Sequence, residues 1–334
     1  MRILQVNSAR KLGGGETHVL ELVEALRGRG HSVIVAGRRE GPLHPDIALP
    51  FLNSADLFTA LRLRSIIQRE EFDVVHAHVA RDYTIVAAAA WNIRKPKLVF
   101  TRHLLYPIRR HLLYNRVDGW IAPTRQILKT LDALKPKYSV VIPNWVDVEK
   151  FPYRPHAFHS PVTVGLIGQI SPHKGHDDAL EAIRQLGGEF RLLIAGKGNA
   201  RYEAALRRKA AGLPVEFLGF VSLAEFFEET DILIVPSWEE PFGIVLLEGM
   251  ASGLPIISTN RGGPSEILRG LLIPPRDPVA LANAIRSVRP GEFVREAREH
   301  VEKNFDIRRV VPLIEDFYKE ISHKKAQNSQ ERKP

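Results

Sequence analysis

Ser237-Trp238-Glu239-Glu240-Pro241-Phe242-Gly243-Ile244-Val245-Leu246-Leu247-Glu248-Gly249-Met250-Ala251-Ser252-Gly253-Leu254-Pro255 decides how this chain is read. It follows an apolar run, Asp231-Ile232-Leu233-Ile234-Val235, that has the composition of a buried strand. A Pro/Gly loop then leads into a helix start, and a second glutamate stands eight residues after Glu240. A strand, a loop and a helix N-terminus flanked by two carboxylates suit a ligand that is anionic at one end and rich in hydroxyls at the other. Helix amides and the helix dipole hold phosphate, and carboxylates accept from sugar hydroxyls. A nucleotide sugar is such a ligand.

Outward from that stretch, both halves of the chain alternate short apolar runs with amphipathic helical patterns. Strands are expected at 3–6, 32–36, 73–76, 97–101, 119–122 and 139–142, and again at 162–167, 191–195, 215–218, 231–235 and 255–258. Helices are expected over 16–29, 175–187, 200–211, 243–253 and 278–288. Such alternation predicts an α/β fold with parallel sheets, helices on both faces and right-handed crossovers. Two Rossmann-like domains are expected, 1–150 and 151–305, joined by the proline-rich stretch 151–161. A helix at 306–322 and a flexible tail at 323–334 complete the chain. Ligands of open α/β sheets bind beyond the carboxyl ends of the strands, so a cleft between the two domains is the expected site.

Composition narrows the class. The 334 residues are 44% hydrophobic and 25% charged, as in an ordinary soluble globular protein, and no apolar run reaches the ~20 residues of a membrane span. The opening Met1-Arg2-Ile3-Leu4-Gln5-Val6 has the pattern of a buried strand rather than of a signal peptide. There are no cysteines, which excludes disulfides and thiolate metal sites and fits a cytoplasmic location. The net charge of +9 is carried by the first half: residues 1–150 hold 23 Lys/Arg against 14 Asp/Glu, and 151–334 hold 24 against 24. Arg94, Lys95, Lys97, Arg102, Arg109, Arg110 and Arg116 accumulate in a stretch without acids between Asp82 and Asp118. Such a segment is either a solvated face or a surface for anionic lipid headgroups or an anionic acceptor.

Three further loops carry chemistry. Gly13-Gly14-Gly15-Glu16 follows the first strand and opens a helix, a place where backbone approaches an anion closely. It is not G-x-G-x-x-G, and Gly37-Arg38-Arg39 stands where a dinucleotide enzyme places an acid, which argues against an oxidoreductase. Lys174-Gly175 follows the first strand of the second half; a cation at a helix start is locally unfavourable and points to a diphosphate. Gly196-Lys197-Gly198 offers another close approach. His76 and His78 alternate at a strand end without a third metal ligand at a recognisable spacing, and His103 follows a strand on the same side.

Taken in order, these segments resemble glycosyltransferase family 4, retaining enzymes of the GT-B fold. The resemblance rests on Gly13-Gly14-Gly15-Glu16, Arg29-Gly30-His31-Ser32-Val33, Thr101-x-His103, Pro143-Asn144-x-Val146-Asp147, Lys174-Gly175, the E-x7-E signature from Glu240 to Glu248, and Gly253-x-Pro255-Ile256. It implies two facing parallel-sheet domains and a nucleotide-sugar donor held mainly by the second. Glu248 would hold the ribose, Lys174 with the amides at Gly243 and Ile244 the diphosphate, and Glu240 the donor sugar. Gly14 and Gly15 would close over the diphosphate, His103 would face the reacting centre, and Glu16 would contact the acceptor. The last helix would return to the first domain. His103, Lys174 and Glu240 are thus the expected catalytic set, without metal or cofactor; the chain has no Asp-x-Asp tripeptide.

Two positions depart from the family pattern: Gln169 stands where an arginine is common, and Trp145 replaces the junction glycine. Arg261 and Lys197 are candidate substitutes for the missing cation. The expected acceptor is a lipid-linked or lipopolysaccharide-type glycan, placing the enzyme in the cytoplasm or on the inner membrane face. The rival readings are a sugar-nucleotide epimerase or a phosphorylase on the same fold, and a basic nucleic-acid-binding protein. Tyr106 and Tyr114 alone make a poor stacking surface, so no nucleic-acid partner is expected.

Overall fold

The computed structural model describes residues 1–11 and 13–330, with side chains through His323. The chain forms two compact units. The first is Met1–Asn144 together with the chain from Ile307 onward, and the second is Trp145–Asp306.

The first unit is built on strands β1 Arg2–Asn7, β2 Ser32–Gly37, β3 Ile47–Ala48, β4 Val74–Ala77, β5 Lys97–Thr101, β6 Gly119–Ala122 and β7 Ser139–Val141. They lie in the order β3-β2-β1-β4-β5-β6-β7, and every pairing is parallel. The strands are apolar on both faces, as a sheet covered by helices on both sides requires. Helix Gly14–Gly28 buries Val19, Leu22, Val23 and Leu26, the stripe its 3.6-residue period presents. Helix Leu57–Glu70 is capped by Asp56, whose carboxylate accepts from Thr59 N at 2.9 Å. The buried aromatic cluster of Tyr83, Phe100 and Trp120 anchors the other end of the sheet.

The last helix, Ile307–Gln330, belongs to this first unit. Phe317 of that helix lies so close over Gly119 that an added Cβ would sit 2.7 Å from its ring, so only glycine fits there. Tyr318 OH lies 2.6 Å from His76 Nδ1, and Glu315 accepts from Arg29 at 2.7 Å and pairs with His31 at 2.5 Å. Burial works to raise the Glu315 carboxyl, but the bonds from Arg29 and His31 outweigh it and hold the group below its ordinary value. The segment expected to be a flexible tail, 323–334, is helical in its backbone to Gln330; residues 331–334 lie outside the described ones.

The second unit carries β8 Val162–Ile167, β9 Phe190–Ala195, β10 Val215–Gly219, β11 Ile232–Val235, β12 Ile256–Thr259 and β13 Leu271–Ile273. Their order is β10-β9-β8-β11-β12-β13, again all parallel. One apolar cluster, around Leu246, Leu247 and Met250, packs on one face, and another, around Leu180, Ile183 and Leu281, on the other. The proline-rich connector is tied to this sheet by Asp231, whose buried carboxylate accepts from His159 N at 3.1 Å and Thr163 N at 2.7 Å and contacts the ring nitrogens of His156 and His159. In both sheets the order reverses beside the first strand, between β1 and β4 and between β8 and β11. Loops leaving the carboxyl ends of those two pairs are therefore splayed apart and leave room for a ligand.

Candidate functional site

In the second unit, the reversal between β8 and β11 brings together residues 66 positions apart. Lys174 ends the short 3-10 turn Pro172–Lys174 after β8, and Glu240 lies in the loop after β11. Their side chains meet, Lys174 Nζ donating to Glu240 Oε2 at 2.6 Å. Glu240 is 8% exposed and Lys174 is partly buried, so the pair is largely withdrawn from solvent. The lysine charge that looked out of place at a helix start is met by this carboxylate. Ser237 Oγ also donates to Glu240 Oε2, at 3.3 Å.

The Glu240 backbone is fixed from the next loop. Its N–H donates to Arg261 O at 3.3 Å, and its carbonyl accepts from Gly263 N at 2.8 Å. Gly263 has to be glycine, because a Cβ there would meet Phe242 O at 2.3 Å. Gly243 then turns the chain with φ 89°, in the left-handed region, and helix Ile244–Ser252 begins. The first-turn amides of a helix have no acceptor within it, so those of Ile244 and Val245 are placed to bind an anion. Glu248 sits one turn further along, half-buried, on the same face as Ile244.

Gly175 has φ 75°, and a Cβ on it would lie 2.1 Å from Pro236 O. The loops after β8 and β11 therefore touch backbone to backbone. The loop after β9 joins them: Ile170 N donates to Lys197 O at 3.0 Å, and a Cβ on Gly198 would lie 1.9 Å from Ile170 O. Lys197 thus rides on a loop bridged to the neighbour of Gln169, with its Nζ 5.2 Å from the centre of the Phe220 ring. Arg261 is exposed on the loop bonded to Glu240.

Several residues of this site are invisible in the sequence. Trp238 Nε1 donates to Asp178 Oδ2 at 2.8 Å, and Arg276 lies over the indole at 4.1 Å, so the loop bearing Glu240 is pinned to helix His176–Leu186. Burial pushes the Asp178 carboxyl up, and the Trp238 bond partly offsets this. His176 is fully buried, and burial takes its imidazole down to about 4, leaving a neutral ring whose Nδ1 lies 3.3 Å from Ser171 O.

In the first unit, Gly13 is the N-cap and Gly14, Gly15 and Glu16 form the first turn of helix Gly14–Gly28. Gly14 and Gly15 are exposed. Burial raises the Glu16 carboxyl, while bonds from its own amide, the Gly13 amide and the Asn7 side chain act against the rise. His103, two residues past β5, belongs to a group of four histidines. The rings of His76 and His78 are 4.1 Å apart, and those of His18 and His78 each lie 6.3 Å from that of His103. Burial, then the nearby Arg102, takes His103 down to about 4, and its Nε2 is buried without a hydrogen-bond partner. Burial and the His103 charge take His76 to about 3; its ring bonds Tyr318 and Thr101. These are neutral imidazoles at pH 7.

The basic stretch 94–116 is not one surface. Arg116 is half-buried and spends its guanidinium on Asp118 and the carbonyls of Ala90, Ile93 and Pro96. Arg102 is 4% exposed and donates to Tyr106 O, and Lys95 pairs with Asp73 at 3.0 Å. Arg94, Arg109 and Arg110 remain exposed. Among the described residues, His156, His159 and Asp231 bring three metal-ligating atoms within 4.8 Å of one another. Asp231 there already accepts two backbone N–H groups at the connector, and the trio is separate in sequence from the Lys174–Glu240 loops. No helix among the described residues is long and apolar enough to cross a membrane.

Comparison with known proteins covers both units. Residues 12–150 match the model described as Glycosyltransferase Family 4, and residues 161–289 the one described as Glycosyl transferases group 1. A phosphatidyl-myo-inositol mannosyltransferase of Mycobacterium leprae is 29% identical, covering 85% of this chain and 86% of its own. A D-inositol 3-phosphate glycosyltransferase of Acidothermus cellulolyticus is 27% identical over 89% of this chain and 83% of its own. The crystal structure of Anabaena HepE in complex with UDP and glucose superposes with a TM-score of 0.82 at 20% identity, covering 96% of this chain and 100% of that one, which shows the same fold. The chain is a glycosyltransferase of family 4 with the GT-B fold.

Proposed function

We propose that this enzyme transfers a glycosyl group from a nucleotide diphosphate sugar to an acceptor hydroxyl with retention at the anomeric carbon and without a metal ion. The observation that carries the donor assignment is the Lys174–Glu240 pair, 2.6 Å apart beside the start of helix Ile244–Ser252. It sets a cation and helix amides for a diphosphate next to a carboxylate for sugar hydroxyls. Glu248 is assigned to the ribose hydroxyls, Lys174 and the amides at Gly243 and Ile244 to the diphosphate, and Glu240 to the donor sugar. Gly14 and Gly15 offer further amides to the diphosphate. Glu16 is assigned as an acceptor contact. The similarity to a HepE structure that holds UDP and glucose supports a donor of this chemical class.

In the reaction, the bond from the anomeric carbon to the β-phosphate oxygen breaks, and the acceptor oxygen bonds to that carbon on the same face. The acceptor proton passes to the departing phosphate oxygen. Lys174 and the helix amides stabilise the charge that grows on the diphosphate, and the largest contribution of the protein is this pre-set electrostatics and positioning. A neutral His103 donates or accepts a hydrogen bond at the sugar without adding charge to an oxocarbenium-like centre.

A thermal-shift screen against UDP-, GDP-, ADP- and CMP-sugars identifies the donor, because a ligand of the native state raises apparent stability. Proton NMR of the first-formed product then reads the anomeric configuration. An inverted product would refute retention, and activity abolished by EDTA and restored by a divalent ion would refute metal independence. No shift with any nucleotide sugar would sink the donor assignment.

A further inference from the structure

Beyond the carboxyl ends of β1, β2 and β3 the first unit has a cavity of about 540 Å³, lined by Arg10, Arg38, Arg39, Arg62, Glu40 and Leu49 among others. Its lining carries four arginines and one glutamate. Among the described residues, no ion pair engages any of the four arginines, although thirteen arginines elsewhere have a carboxylate partner. Arg38, the least exposed of them, is anchored on backbone instead. Its Nε donates to Ser8 O at 3.2 Å, and its Nη2 donates to the carbonyl of Phe51. Phe51 is fully buried with φ 46°, a left-handed conformation unusual for phenylalanine, and Thr59 Oγ1 accepts from its N–H at 3.2 Å. The arginine is thus set in place by main chain and not by a neutralising acid. Burial, then the charges of Arg10 and Arg81, lowers the Arg38 guanidinium, while Asp82 and Asp56 act against this. The cluster is a concentration of like charge.

We propose that this arginine-lined cavity is the acceptor site and that the acceptor is held by a phosphate group. The guanidinium fork matches phosphate oxygens two at a time, and a cavity of this size takes a phosphorylated sugar or polyol but not a duplex. The rim favours a phosphate carried on a lipid. Leu52, Leu57, Phe58 and Leu61 are each more than half exposed, and the Arg62 guanidinium lies 5.2 Å from the centre of the Phe58 ring. Apolar side chains facing water beside a cationic pocket match the boundary between a headgroup and its acyl chains. The name "acceptor" rests on the transfer reading; the phosphate site itself does not.

The test uses the full chain and two phosphomonoester probes. Glycerol 1-phosphate is titrated by calorimetry, and phosphatidylcholine vesicles with and without phosphatidic acid are used in flotation. Arg39→Ala/Arg62→Ala removes two exposed cations from the cavity, and Arg109→Ala/Arg110→Ala removes two from the basic stretch. The cavity variant should weaken binding by roughly tenfold or more, and the other by no more than about twofold. Binding in the soluble arm alone identifies a free phosphorylated polyol, and binding only to phosphatidic acid vesicles a lipid. Equal losses in the two double variants, or saturable binding in neither arm, overturn the proposal. The nucleotide-sugar thermal shift separates the two readings. Arginine-dependent phosphate binding without any such shift would leave the cavity standing and remove the transfer reading; the shift without phosphate binding would remove the cavity alone.

Discussion

Replacing Glu240 by glutamine should tighten the binding of a free nucleoside diphosphate while slowing transfer. In the structure the Lys174 ammonium is already committed to Glu240 at 2.6 Å. A diphosphate that recruits Lys174 has to compete with that bond. A hydrogen bond between charged groups contributes about 1.5–3 kcal/mol, and one from a charged donor to a neutral amide oxygen keeps roughly 0.5–1.5 of it. Glu240→Gln therefore releases about 1–2 kcal/mol, or roughly five- to thirtyfold in affinity. The substitution also removes a carboxylate beside the phosphate, in the same direction. Calorimetry with the nucleoside diphosphate of the cognate donor measures the gain. Lys174→Ala should loosen the same ligand by about tenfold or more, and in that background Glu240→Gln should bring no gain. A weaker diphosphate complex in Glu240→Gln, or a gain that persists without Lys174, would show that the ammonium does not hold the phosphate.

Other outcomes follow from the packing. Gly175→Ala places a Cβ 2.1 Å from Pro236 O in a left-handed conformation, so it should cost about 2–5 kcal/mol in urea unfolding and abolish donor binding. Tyr318→Phe leaves the buried His76 Nδ1 without its partner at 2.6 Å and should cost about 1–3 kcal/mol, with no change in nucleotide-sugar affinity. His76, held near 3, and His176, near 4, are both buried and stay neutral when the unfolded chain takes up protons. Their stabilisation is therefore complete above about pH 6.5 and is lost as pH falls toward 4. Each should cost about 1.4 kcal/mol at pH 5.5, seen as a falling melting temperature that His176→Asn lessens.

The strands rich in Val, Ile and Leu were legible in the sequence because a covered parallel sheet demands near-continuous apolar runs. β3 and β13 were not, since two or three residues make no pattern. The helix at Ile244–Ser252 and the glycine before it were plain from composition. What sequence could not supply was pairing at a distance: Lys174 with Glu240, Trp238 with Asp178, and the arginines gathered from two loops and a helix. The basic stretch 94–116 misled for the same reason. Charge counts do not reveal that Arg116 serves three main-chain carbonyls, while Gly37-Arg38-Arg39, noted only for the acid it lacks, lines the cavity.

The return of the last helix to the first unit has a consequence for biosynthesis. The second unit is one uninterrupted stretch, Trp145–Asp306, whose two ends are paired through the bridge between Val146 and Asp306. It can close its core as soon as it has left the ribosome. The first unit begins earlier but lacks Phe317, Tyr318 and Ile321 until helix Ile307–Gln330 emerges, leaving Gly119 and the His76 ring uncovered. Domains ordinarily fold in the order of synthesis; here the half that starts first finishes last. A chain cut after residue 310 and released from the ribosome should therefore have a protease-resistant second unit and a protease-sensitive first one.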